Sequence, residues 1–303
     1  MTTQLKSSSR IKLTRADRTF FTVTFAVMIF LTAITAYPLI YILACSFSSR
    51  MAILSGKVVL FPVDLSVEGY LKVFEYSDVL TGYINTFYYT IFGTLINVVV
   101  TMLCAYPMAR VGWPMKKGFT FLFMFTMFFS GGMIPTYLLI SNLHMINTRW
   151  ALLLPGAMSV YNMIIARTFI QNSIPGELLE AAQIDGCSDS LYFFKIVLPL
   201  SKAVMAVLTL YYAVGHWNAY FNAFIYLSNR SLYPLQIILR EILIENSISA
   251  ETLMDEQMAA QKAGLSDLLQ YSLIVVSTAP ILCIYPFVQK YFIKGVMIGS
   301  VKG

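Results

Sequence analysis

Six long stretches of the chain carry no Asp, Glu, Lys or Arg. They lie between Arg18 and Arg50, Asp78 and Arg110, Lys117 and Arg149, Arg149 and Arg167, Lys202 and Arg230, and Asp267 and Lys290. A helix needs about 20 mainly apolar residues to cross a bilayer core, so each stretch predicts a membrane span. The predicted spans are about Phe20–Phe47, Gly82–Met108, Phe119–Ile140, Ala151–Ile170, Leu200–Tyr226 and Leu268–Phe292. The fourth is the shortest, and Arg167 can snorkel at its end. Between the fifth and sixth, Leu235, Ile238, Leu239, Ile242 and Leu243 recur at helical spacing, which predicts an amphipathic helix lying at the outer surface.

Composition sharpens this picture. With 58% apolar residues and 12% charged, the chain has more apolar surface than a soluble domain of its length can hide. The net charge of +6 is a matter of topology. With the N-terminus inside, fourteen of the 21 Lys and Arg fall on the inner side, while ten of the 15 acids fall outside. The positive-inside rule therefore sets both termini in the cytoplasm, and nothing in the charge points to nucleic acid. The expected division is a basic tail at 1–18, a first transmembrane helix at 19–47 and an external loop at 48–79. A core follows at 80–292, with a cytoplasmic loop at 171–199 and an external loop at 227–267, and then a cytoplasmic tail at 293–303. The first span is too long for a signal-peptide core and is expected to be retained.

The cytoplasmic loop holds the most informative run, Glu180 to Pro199 (EAAQIDGCSDSLYFFKIVLP). Pro175 suits a helix start, and Glu177 and Glu180 favour its positive end. Ala181 and Ala182 form helix well and let another surface come close. Gly186 is placed where a helix ends in a left-handed residue. Ser188 can cap a second helix over Asp189 to Val197, with a greasy face of Leu191, Phe194, Ile196 and Leu198. Pro199 marks the turn into the next span. The product is a helix-turn-helix knob, whose plainer reading is an amphipathic linker between two spans.

The pattern E-A-A-x3-G-x9-I-x-L-P is filled at every fixed position by Glu180, Ala181, Ala182, Gly186, Ile196, Leu198 and Pro199. It resembles the EAA loop of binding-protein-dependent ABC importer permeases. Trp217-Asn218 with Tyr220 and Phe221, and Leu232-Tyr233-Pro234-Leu235-Gln236, are similar to the carbohydrate-uptake branch, in particular its maltose-type subunit. Lys294-Gly295 with Gly299, Val301, Lys302 and Gly303 resembles the tail with which that subunit reaches its ATPase. Met133 to Tyr137 and Asn147 to Leu152 resemble a subgroup handling oligosaccharides or polysaccharide fragments. The likeness runs from about the second span to the last residue.

The resemblance implies an all-α integral membrane protein with the type I importer permease fold, six helices comprising a five-helix core and a peripheral first helix. It implies a heterodimer with a second permease subunit, two ATP-binding subunits beneath and an extracytoplasmic sugar-binding protein, in a bacterial inner membrane. In that assembly the knob couples to an ATPase: Glu180 makes polar contacts, Ala181 and Ala182 allow close approach, and Gly186 turns the chain. Ile196, Leu198 and Pro199 tie the knob to the fifth span. Gly299, Lys302 and Gly303 would reach the ATPase from the tail. No cofactor is implied.

His216, Asn218 and Asn222 lie on or near one face of the fifth span, beside Trp217. They either line a substrate path, with Tyr211, Tyr220 or Trp217 stacking on a sugar ring, or hydrogen-bond to neighbouring helices. The second reading carries more weight, because the partner subunit makes most sugar contacts in the maltose system. Asn85, Asn97 and Asn162 read the same way. Catalytic and metal-binding readings find no support. The four cysteines are scattered, His144 and His216 are far apart, and Gly56-Lys57 lacks the rest of a phosphate loop. The chain is expected not to be an enzyme, with ATP hydrolysed by another polypeptide. A secondary transporter is the rival class. It would show carboxylates within its spans or repeated halves, and neither is evident.

Overall fold

The chain's helices begin and end where caps and breakers fall. The computed structural model describes residues 14–251 and 264–283, with the backbone alone over 245–251. Among these residues every regular element is helical: α1 Arg15–Ser46, α2 Arg50–Leu54, α3 Glu68–Glu75, α4 Ser77–Ala109, α5 Lys116–Phe128, α6 Met133–Asn142, α7 Trp150–Leu153 and α8 Val160–Ser173. There follow α9 Gly176–Ile184, α10 Asp189–Tyr192, a π turn Phe193–Val197, α11 Leu198–Leu200, α12 Lys202–Trp217, α13 Phe221–Tyr226, α14 Leu235–Glu251 and α15 Gly264–Cys283.

The shaft of the fold is α4, 33 residues and so roughly 50 Å long. Its buried positions, among them Gly82, Asn85, Thr86, Tyr89, Gly93, Asn97, Thr101, Ala105 and Ala109, recur every three or four residues and face α8, α12 and α14. Small residues on this stripe set how closely helices approach. A Cβ on Gly82 would stand 3.0 Å from the Leu235 Cα, and one on Gly93 would lie 2.4 Å from the His216 Nε2. In contrast α1 is exposed along almost its whole length; only Ala44, Cys45 and Ser46 in its last turn are buried. Among the described residues its aromatic contact outside itself is Tyr41 edge-on to Tyr271 of α15, with ring centres 5.8 Å apart.

Among the described residues three helices, α1, α4 and α15, are each long and apolar enough to cross a membrane, and two bent pairs would raise the number to five. The chain is therefore a multi-pass membrane protein. The predicted third span divides into α5 and α6 at an angle of 114°. Ser130 to Gly132 forms the corner, with Gly132 at φ +86°. The predicted fourth span is interrupted at Pro155-Gly156, and α8 restarts where the Ser159 hydroxyl accepts from the Asn162 N–H. The predicted fifth span breaks between α12 and α13. Each interruption exposes backbone groups that other helices must satisfy, as continuous apolar runs do not reveal.

The apolar stripe predicted after the fifth span does form a helix, α14, but it packs against protein. Leu235, Ile238, Leu239 and Ile242 are buried with Val73, Val79, Leu269 and Leu273. The same stripe would suit lipid; the neighbouring helices claim it here. The predicted sixth span is described only to Cys283, and the tail residues Gly299, Lys302 and Gly303 lie outside the described residues.

Candidate coupling loop and central cleft

Helix α9 starts one residue later than Pro175, which sits at the N-cap with extended backbone. It ends in the turn its sequence calls for. The Gly186 N–H bonds the Gln183 carbonyl at 3.1 Å and the Cys187 N–H bonds the Ala182 carbonyl at 2.8 Å. Gly186 itself takes φ +70°. This pair of bonds is the Schellman arrangement, in which a left-handed residue just past the helix satisfies its last carbonyls. The Ser188 hydroxyl then accepts from the Leu191 N–H and starts the next helical segment.

That segment differs from expectation at its far end. It runs on from Asp189 to Leu200 through the π turn, in which the Leu198 N–H reaches back five residues to the Phe193 carbonyl. Pro199 has no N–H to offer and its ring crowds the carbonyl four residues before it, so a widened turn just upstream accommodates it without a break. The bend falls instead at Ser201, where the segment meets α12 at 78°.

The knob has an inward and an outward face. Ala182, Tyr192, Phe193 and Val197 are buried against Ala105, Met108, Ala109 and Ile170, with Ile196 and Leu198 partly buried beside them. Burial raises the Tyr192 phenol above its ordinary value. Ala182 thus spends its small size on this chain's own helices, leaving Ala181 on the outward face with Glu180. Of the predicted greasy face, Leu191 is exposed, and Phe194 is exposed beside Val98, Met102 and Met205 along α4 and α12; Ile184 is 87% exposed. Arg110, capping the end of α4, forms an ion pair with Asp189 and donates to the Tyr106 hydroxyl at 3.3 Å. Gln171 donates to the Ala109 carbonyl at 3.3 Å, so both strands of the knob are fastened to the same end of α4. Sequence reasoning missed Arg110 and Gln171, because a cation and an amide tens of residues from their partners carry no local signal.

Farther along α4 lies a cleft of about 210 Å³, lined by residues that include Tyr89, Asn97, Tyr211, His216 and Asn222. His216 reaches the cleft but its Nε2 is 2.6 Å from the Asn97 Oδ1, while the Asn97 amide donates to the Gly156 carbonyl. Tyr212 ties the same region together: its hydroxyl lies 2.7 Å from Thr101 Oγ1 and accepts from the Ser159 N–H at 3.0 Å. Trp217 is buried and donates to the Ser277 carbonyl of α15 at 2.9 Å, and Asn218 donates back to Val214 within its own helix. Asn85 donates to the Ser231 and Tyr233 carbonyls. His216, Trp217, Asn85 and Asn97 are thus engaged with this chain's own helices. Among the described polar residues of the lining, Asn222 and Tyr211, both exposed, present themselves freely to the cleft. Among the described residues no three His, Cys, Asp or Glu side chains cluster as metal ligands would.

A bundle of apolar helices, a largely apolar cleft with a few polar groups part-way along α4 and a fastened knob at the end of α4 suit a membrane transport subunit. Comparison with known proteins gives the family. The chain is 37% identical over 287 residues to the polygalacturonan/rhamnogalacturonan transport system permease protein YtcP of Bacillus subtilis, covering 95% of this chain and 99% of the relative. It is 39% identical over 274 residues to the protein LplC of the same organism, covering 89% and 90%. In three dimensions it matches a chain in the crystal structure of a bacterial ABC transporter involved in the import of the acidic polysaccharide alginate. That match has a TM-score of 0.82 at 31% identity, over 93% of this chain and all of the other. No family model matches the chain. The chain belongs to the permease subunits of binding-protein-dependent ABC importers of the carbohydrate-uptake branch.

Proposed function

We propose that this chain is one half of a heterodimeric pore that carries an oligosaccharide or polysaccharide fragment into a bacterial cell. An extracytoplasmic binding protein delivers the sugar, and two ATP-binding subunits supply the energy from the cytoplasmic side. In this reading both termini and the knob are cytoplasmic, six segments pass through the membrane, and the chain itself hydrolyses nothing.

One observation carries the reading. The knob offers exposed apolar side chains of Leu178, Ala181, Ile184 and Leu191 while its inward face is packed and hydrogen-bonded to α4. Exposed apolar groups rimmed by Glu180 and Asp185 are what a docking surface requires. A rigid attachment lets closure of the ATPase pair displace α4 and α12 instead of bending a loop. Glu180 and Ala181 then meet the ATPase directly, Ala182 and Gly186 hold the knob's shape, and Ile196, Leu198 and Pro199 join it to α12. The cleft lies on the path of the sugar, with Asn222 and Tyr211 as its contacts and His216, Trp217 and Asn218 as framework. The tail residues Gly299, Lys302 and Gly303 add a second contact to the ATPase.

The test is recovery of the tagged chain from detergent-solubilised native membranes. Mass spectrometry should find a second permease and an ATP-binding subunit, and ATP hydrolysis should accompany them. Changing Glu180 and Gly186 together should remove the ATP-binding subunit and keep the second permease. A homo-oligomer with no ATPase activity would overturn the reading in favour of a secondary transporter.

A further inference from the structure

A glycine inside a helix needs a reason, because alanine in its place forms helix better and has less freedom to lose on folding. Most helical glycines of this chain have one. A Cβ on Gly82 would meet the Leu235 backbone, one on Gly93 the His216 ring, and one on Gly69 the Ser272 hydroxyl. Gly118 and Gly176 lie in the first turns of α5 and α9, outside the helix interior. Gly215 differs. It is the third residue from the end of α12, still inside the helix, and its φ is not in the left-handed region. A Cβ there meets no described atom within 4 Å. Among the described residues, neither backbone geometry nor close packing calls for glycine at this place.

What the missing side chain leaves is part of the cleft. Gly215 lines it together with Tyr211, four residues earlier and so on the same face of α12. Gly156 and Asn222 line it as well. Tyr211 is 45% exposed, which leaves a flat apolar ring free for contact. At about 210 Å³ the cleft is smaller than the roughly 300–1,000 Å³ of most small-molecule sites, so it has little room to give up. The next residue, His216, is held by Asn97 and cannot move aside without breaking that bond. A side chain at position 215 would therefore take its space from the cleft, one helical turn from the Tyr211 ring.

We propose that Gly215 determines which cargo the cleft admits, because its missing side chain leaves the clearance in which one sugar ring lies against Tyr211. This rests on the importer reading and adds to it a residue that sets specificity by size.

Two measurements test it. In the first, Gly215→Cys and Val214→Cys are made in the full chain and treated with a methanethiosulfonate that carries a single glucose ring. Mass spectrometry reads the modification at each position. Val214 is also exposed, at 36%, but does not line the cleft. Position 215 should react at least about tenfold faster than position 214, since a thiol in apolar surroundings resists ionisation. In the second, the importer is recovered through the tagged chain with its native partners and placed in proteoliposomes. It is offered a mixture of short oligosaccharides cut from polygalacturonan, alginate and starch, and uptake of each is followed. Gly215→Leu should lower the maximal uptake rate at least about tenfold, and Gly215→Ala by less. Both variants should melt no lower than the unaltered chain and bring down the second permease in undiminished amount.

Equal reaction at the two cysteines would overturn the proposal, as would uptake by Gly215→Leu at the unaltered rate. Loss of the second permease from the Leu variant would also overturn it, by assigning the space to that subunit. If no ATPase is recovered, or none of the sugars enters with the unaltered chain, the importer reading fails. The cysteine measurement on the detergent-purified full chain then decides the clearance alone: faster reaction at position 215 upholds room for a sugar ring, and equal rates end it.

Discussion

The turn at Gly186 allows folding and docking to be tested apart. Gly186 has φ +70°, and a Cβ built there meets nothing within 4 Å in this chain. A substitution therefore costs only the left-handed backbone, about 1–2 kcal/mol for an ordinary L-residue, and less for Asn or Asp, which visit this region more readily. Set against a total stability on the order of 5–15 kcal/mol, that leaves the fold in place. If the knob sits in a cleft of the ATPase, the open space around Gly186 is occupied in the complex, and any side chain there collides. We expect Gly186→Asp and Gly186→Asn to reach the membrane in normal amount and to shift the detergent melting temperature only slightly. Uptake should fall at least about tenfold in both, with ATP hydrolysis no longer stimulated by cargo. The Asn variant keeps the backbone preference and much of the volume while removing the charge, so similar loss in both assigns the defect to space. Uptake at the unaltered rate in Gly186→Asp would refute the docking argument. Disappearance of both variants from the membrane would refute the estimate of the backbone cost.

Two further outcomes follow from the same geometry. Ile184→Asp and Leu191→Ser alter side chains that are 87% and 43% exposed, so stability should change by no more than about 0.5 kcal/mol while the ATP-binding subunit is lost in affinity recovery; undiminished recovery would place the docking surface elsewhere. Gly93→Ala drives a methyl group to 2.4 Å from the His216 Nε2, which should cost about 1–3 kcal/mol in thermal unfolding and be partly restored in Gly93→Ala with His216→Ala; strictly additive effects would show that the two residues do not share the space.

The sequence made the membrane character and the knob legible for a physical reason: both depend on local rules. A run without charges can only be read as lipid- or core-facing, and Pro175, Gly186 and Ser188 act on neighbouring backbone groups through capping chemistry. What stayed hidden depends on distant partners. An apolar stripe such as that of α14 looks the same whether lipid or protein covers it, and here Leu269 and Leu273 of α15 cover it. The charge-free run around Pro155-Gly156 read as one span, because the hydrogen bond that holds its broken backbone comes from Asn97, 59 residues away. Pro199 read as a corner, but a proline near the end of a helical segment is tolerated once the turn before it widens, and the corner falls at Ser201.

The polar residues inside the apolar helices bear on how energy enters. An ion-coupled carrier needs a titratable group at membrane depth that is free to exchange its ion. The charge-free intervals contain no carboxylate. The histidine they do contain within a helix, His216, has its Nε2 committed to Asn97, whose amide in turn holds the Gly156 carbonyl of the broken segment. Titrating that ring would disturb the join between α4, α12 and the α7–α8 turn, so its hydrogen bond serves shape. The knob, by contrast, has its inward face fastened at Arg110 and Gln171 and its outward face unclaimed by the other described residues. The polar groups of Asn97, His216 and Tyr212 are spent on holding helices together, and the exposed face of the knob sits on a fastened lever, which is the arrangement the proposed drive by an ATPase requires.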